Sequence, residues 1–192
     1  PAILDYVNGT ELASYSQRGV VTPDHIIRTK NKPLVVSAPE TGKLDAFTQS
    51  VQAAVETFVA EYDIYFSREN EAVGGIKTKL DPMPRVILVP GVGLFGLGRS
   101  AKDAAIAGDL AENTVRVVTD AEAIGRYEPL PERDLFALEY WSLEQAKLAK
   151  QVVKPLTGQA AVVTGAGAIG TATAKALAAD GAGVAVFDLD GD

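Results

Sequence analysis

The residues best suited to chemistry are Gly165, Gly167 and Gly170, in the run Gly165-Ala166-Gly167-Ala168-Ile169-Gly170, together with Asp188. The run follows an apolar stretch, Ala160-Ala161-Val162-Val163, and opens an amphipathic segment. Strand, glycines and helix in that order suit a dinucleotide. Gly165 permits the tight turn, Gly167 lets a pyrophosphate approach the backbone, and Gly170 lets helix and strand pack closely. The helix N-terminus, with Ile169 in its first turn, supplies free N–H groups and the positive end of a dipole. Val184-Ala185-Val186-Phe187 makes a second strand, and Asp188 stands at its end, 18 residues after Gly170. The acid that bonds an adenosine ribose is expected ~20 residues on. Such an acid repels a 2′-phosphate, so the cofactor implied is NAD rather than NADP. The alternative is a strand–helix–strand unit whose glycines serve only packing. The joint presence of all five features favours the dinucleotide reading for the parent fold.

Other candidates are thin. Asp188, Asp190 and Asp192 suggest a cation site, but a polar turn after a strand explains them better. His25 neighbours Asp24, Arg28 and Lys30, a set that suits a phosphate-bearing substrate. A His bonded locally near a helix start is the preferred reading, because no second catalytic group falls beside it in sequence. Tyr140 and Trp141 read as packing or interface aromatics. With one His and no Cys, the chain lacks the N and S donors of a catalytic zinc. No catalytic residue and no metal ligand is assigned.

Several elements must position these residues. Leu44, Phe47, Val51, Val55, Phe58, Val59, Tyr62 and Phe66 recur at spacings of three and four, which predicts a helix over 43–67. Thr22-Pro23-Asp24 reads as the start of a short helix. The rest of 1–32 is irregular apart from a helical turn near 11–17. Strands are expected at 34–36, 85–89 and 94–97, with a glycine corner at Gly91-Val92-Gly93. Residues 68–84 read as a loop. Helices are expected at 101–123 and 134–150. Leu156-Thr157-Gly158 marks a boundary, followed by a buried strand at 159–164, a helix at 168–180 and a strand at 184–187.

Composition excludes several classes. The formal net charge is −7, which argues against nucleic acid and against an anionic membrane surface. No apolar run approaches the ~18 residues of a membrane span, and no secretory signal is visible. The lack of Cys rules out disulfides and fits the cytoplasm, the expected location. The expected partner is a small-molecule substrate of the parent enzyme, with self-association left open.

Residues 156–190 resemble the start of a short-chain dehydrogenase, with two departures. Thr164-Gly165-Ala166-Gly167 brings the second glycine in sooner than that family usually does, and none of the six Tyr residues has Lys four positions on. TPDHIIRTK (22–30), DPMPRVILVPGVGLFGLGRSAKDA (81–104) and DLFALEYWSLEQAKL (134–148) resemble the middle of the bifunctional class II aldolase/short-chain dehydrogenases. The resemblance covers roughly 12–190. It implies an aldolase-like α/β module at 1–154 and a truncated Rossmann βαβ start at 155–192. It further implies a parent enzyme that pairs sugar-phosphate cleavage, of the rhamnulose-1-phosphate type, with NAD-dependent oxidation of a small aldehyde or alcohol. Where class II aldolases carry a metal-binding His before Gly-Leu-Phe, this chain has Val92. Residues 1–154 are therefore open to a second reading, as a linker or assembly module without its own activity. A dinucleotide domain needs more than the 22 residues after Gly170, so the chain is expected to be part of a larger enzyme and to bind NAD weakly or not at all by itself.

Overall fold

The computed structural model describes residues 2–148 and 154–189. Three short strands form a mixed sheet in the order β1-β2-β3: β1 (Leu34–Val35), β2 (Val86–Val89) and β3 (Gly93–Gly96). β1 runs parallel to β2, and β3 returns antiparallel to it, with Val89 opposite Gly93. The parallel pair needs a long crossover, supplied by the 29-residue helix α4 (Leu44–Ala72). The antiparallel pair needs only a hairpin, made by Pro90-Gly91-Val92. Gly91 takes φ +78 there, a conformation that glycine adopts without a Cβ clash.

Alternation along β2 decides which helix covers which face. Val86 and Leu88 pack under α5 (Ala101–Ile124), against Ala111, Val115 and Val118. Tyr6 and Val7 of α1 (Ala2–Val7) and Leu12 of α2 (Leu12–Tyr15) complete that core. Val89, with Leu34 and Val36, faces α4 through Phe47, Val51, Val55 and Phe58. The result is a sheet between helical layers, an α/β module.

Two smaller cores tie in the remaining helices. Ile26 and Ile27 of α3 (Pro23–Thr29) meet Leu135 of α6 (Glu132–Glu139). Tyr62 and Tyr65 of α4 meet Phe136 and Tyr140, whose rings stack 4.5 Å apart. Such aromatic pairs contribute about 0.5–1.5 kcal/mol beyond burial.

The structure corrects several sequence expectations. Residues 1–32 hold one helix that the sequence pattern does not announce, α1, besides α2 and α3, which fall where helical turns are expected. α4 extends five residues past the expected end, to Ala72, and stops where Gly74 takes φ +87 and the Gly75 N–H donates to the Asn70 carbonyl at 2.7 Å. The helix expected at 134–150 breaks at Tyr140, and α7 runs over Ser142–Leu148. The Tyr140 carbonyl, which a continuous helix would use, accepts from Lys77 Nζ at 3.0 Å instead. Residues 149–150 lie outside the described residues, as do Asp190 and Asp192.

A separate two-stranded unit follows. β4 (Ala160–Thr164) runs parallel to β5 (Gly183–Phe187), with α8 (Ala168–Ala179) as the connection. β4 is not buried as expected. Its residues alternate between exposed and half-buried, and no described residue from 154 onward is fully buried. With only α8 packed on two strands, the unit cannot enclose a core. One recorded link to the first module is the Gly158 N–H donating to the Arg99 carbonyl at 2.8 Å.

Candidate functional site

The strand–turn–helix–strand unit brings together all five residues singled out from the sequence. Thr164 ends β4 opposite Phe187, and the Gly165 N–H donates to the Phe187 carbonyl at 2.7 Å. The chain then leaves the sheet. Gly165 has φ +89, which a side chain would make costly. Gly167 is the N-cap of α8, and a Cβ there would meet nothing within 4 Å. Gly170 is different. A Cβ on it would run into the Gly165 carbonyl oxygen, so this glycine lets the helix sit on the turn itself, with Val163 just behind. Sequence reasoning expected close packing of helix on strand; the closest surface is the turn.

Asp188, exposed at the end of β5, accepts a hydrogen bond from the Ala166 N–H. The carboxylate that spacing had picked out for a ribose thus also braces the glycine turn. Thr171 Oγ1 donates to the Ala166 carbonyl at 2.6 Å and holds the turn from the helix side. Ile169 is 85% exposed beside the open face. No side chain caps the first turn of α8. The space over Gly167 and the uncapped turn fit a pyrophosphate, which is the test these residues can meet.

The metal position does not fit. Val92 lies half-exposed at the tip of the β2–β3 hairpin and has no donor atom. His25 is buried, and its Nδ1 is 2.7 Å from the Thr22 hydroxyl. Burial holds its imidazole below the usual pKa, against a backbone hydrogen bond at Leu110 and the Asp24 charge. Among the described residues, no three His, Cys, Asp or Glu side chains could hold a metal ion.

Sequence reasoning missed a buried polar network. The Leu80 N–H donates to the Tyr140 hydroxyl at 3.3 Å, and the Tyr140 and Tyr62 hydroxyls lie 2.6 Å apart. Tyr62 donates to Glu139 Oε1 at 2.8 Å and Tyr65 to Oε2 at 3.1 Å. Lys30 Nζ stands 3.6 Å from Glu139 and 4.0 Å from the Tyr62 ring centre. Burial raises the Glu139 carboxyl and lowers the Lys30 ammonium from their ordinary values. The hydrogen bonds from Tyr62, Tyr65 and Lys30 and the opposite charges act the other way and offset part of the burial effect. A Lys at a helix end and a Glu 77 and 74 residues from the Tyr62 and Tyr65 that donate to it carry no spacing signal. The only sequence cue was Glu139 inside an apolar run.

Fold and turn together define an α/β protein, with a sheet-and-helix module followed by a parallel strand–glycine turn–helix–strand unit. Residues 1–148 match the family model for the second domain of class II aldolases, and the chain belongs to that family. Over 191 residues it is 35% identical to a Bacillus subtilis (strain 168) protein named "Uncharacterized oxidoreductase YuxG". The match covers 98% of this chain and 27% of that relative, so the chain spans about a quarter of its length. No solved structure matches the chain at a significant level.

Proposed function

We propose that these residues form the junction of a bifunctional enzyme, in which a class II aldolase is fused to an NAD-dependent oxidoreductase of the short-chain, Rossmann type acting on a small aldehyde or alcohol. The observation that carries this reading is the glycine turn. Gly170 seats on Gly165, Gly167 leaves open space at an uncapped helix start, and Asp188 stands beside the turn. The family match supports the aldolase half, and the relative's printed name supports the oxidoreductase half. NAD, when bound, supplies a hydride acceptor. The chain's own part is to hold the pyrophosphate on the first turn of α8 and to present Asp188 to the ribose.

Residues 1–154 are proposed to join the two activities rather than to catalyse. Val92 replaces the donor that aldolase chemistry would need, and the single His is buried against Thr22. Calorimetric titration tests the main reading. The 192-residue chain should bind NAD weakly or not at all at millimolar concentration. A protein extended to the length of the Bacillus relative should show saturable binding that Gly167→Asp abolishes. An extended protein that oxidises its substrate with no response to NAD would overturn the reading.

A further inference from the structure

A cavity of about 170 Å³ lies in the first module, between α3, the start of β2, the segment after β3 and the first turn of α5. Its charged lining is Arg28, Lys30, Arg85, Arg99, Asp81 and Asp103. Four cations converge here although the chain carries a net charge of −7. Two of them are already engaged. Arg85 pairs with Asp81 at 2.6 Å, and Lys30 with Glu139. Arg28 and Arg99 make no ion pair among the described residues. Two guanidinium forks on one cavity suit the oxygens of an anion, since each can donate two parallel hydrogen bonds.

The surroundings are built rather than incidental. Lys30 has φ 67 and ψ 173, and no other non-glycine among the described residues has positive φ. Residues other than glycine seldom hold that backbone region, and it persists only where contacts enforce it. The Glu139 pair and the Tyr62 face enforce it here. Gly98 lies so close to α5 that a Cβ would strike the Ala104 N and the Asp103 backbone. This fixes the neighbouring Arg99 at the N-terminal end of a 24-residue helix, whose dipole adds to the positive field. Ile27, Leu97 and Ile106 supply an apolar wall.

We propose that this cavity binds the phosphate group of a small phosphorylated compound. Its volume is below the ~300 Å³ of sites for drug-sized ligands, which leaves room for a phosphate and a few carbons against the apolar wall. The glycine turn does not line it, so the proposal stands apart from the dinucleotide reading.

Isothermal titration of the 192-residue chain with inorganic phosphate, glycerol 3-phosphate and glycerol, at fixed ionic strength, tests this. Phosphate should bind saturably, glycerol 3-phosphate more tightly, and glycerol not at all. Arg28→Gln and Arg99→Gln should each weaken binding at least ten-fold, while Arg116→Gln leaves it unchanged. In the unsubstituted chain, phosphate should shift the amide resonances of residues 97–103. Absence of saturable heat, affinity unchanged from the unsubstituted chain in both Arg28→Gln and Arg99→Gln, or shifts confined to 165–170 would each overturn the proposal. Acetate binding as tightly as phosphate would overturn the phosphate assignment.

Discussion

Lys30 and Glu139 form an ion pair of 3.6 Å whose side chains are only 6% and 0% exposed. A buried pair of this kind contributes little over a well-packed apolar pair, yet losing one partner strands the other charge. Glu139→Ala is expected to destabilise the first module by about 3–5 kcal/mol. Lys30→Met with Glu139→Leu should recover much of that loss. Urea unfolding of the two variants checks both statements, and a Glu139→Ala chain as stable as the parent would refute the first.

Asp81 links stability to pH. Burial raises its carboxyl, but the Met83 N–H, the Arg85 guanidinium and the Lys30 charge together hold it below its ordinary 3.8. A depressed pKa gives stability that is complete above the unfolded value and is lost as pH falls through the folded one. The first module should therefore lose stability below about pH 4. Asp81→Asn should show a shallower loss across that window in thermal melts taken from pH 5 to 2.

Gly170→Ala should disrupt the second unit alone. The added carbon meets the Gly165 carbonyl, a backbone atom that cannot give way without moving the turn. Hydrogen exchange should show loss of protection across β4, α8 and β5, with that of β2 and α5 unchanged.

A chain ending at Lys154 should melt cooperatively. Every fully buried hydrophobic side chain described lies at or before Tyr140. A molten, non-cooperative product would show that the second unit belongs to the same core. Metal analysis of the 192-residue chain should find no stoichiometric tightly bound zinc.

Asp188→Ser, in a protein long enough to bind the dinucleotide, should reduce the preference for NAD over NADP. On the proposed NAD reading, the change removes both the ribose acceptor and the repulsion of a 2′-phosphate. The same change frees the Ala166 N–H, so affinity for both cofactors should also fall. Fluorescence titration with each reduced cofactor separates the two effects.

Periodic elements were legible in the sequence, and non-local ones were not. The face of α4 from Phe47 to Phe66 repeats every three or four residues because it packs on a sheet and a helix. Its last turn, Arg68–Ala72, has no apolar face to repeat, so the sequence pattern ends before the helix does. At the break the Tyr140 carbonyl accepts from Lys77, which nothing in local sequence connects to it. The glycine turn was legible because backbone geometry dictates glycine at fixed offsets. Arg28 and Arg99 meet at one cavity only through folding, and no spacing foretells that.

The thin cover over β4 and β5 has a consequence for how the chain is made. The first module can complete its cores before β4 leaves the ribosome, because none of them draws on later residues. The second unit emerges with Val162 69% and Phe187 61% exposed, and its strand edges can pair with other nascent chains. A chain of these 192 residues should therefore aggregate through its second unit, and its yield should respond to temperature more than the stability of the first module would suggest.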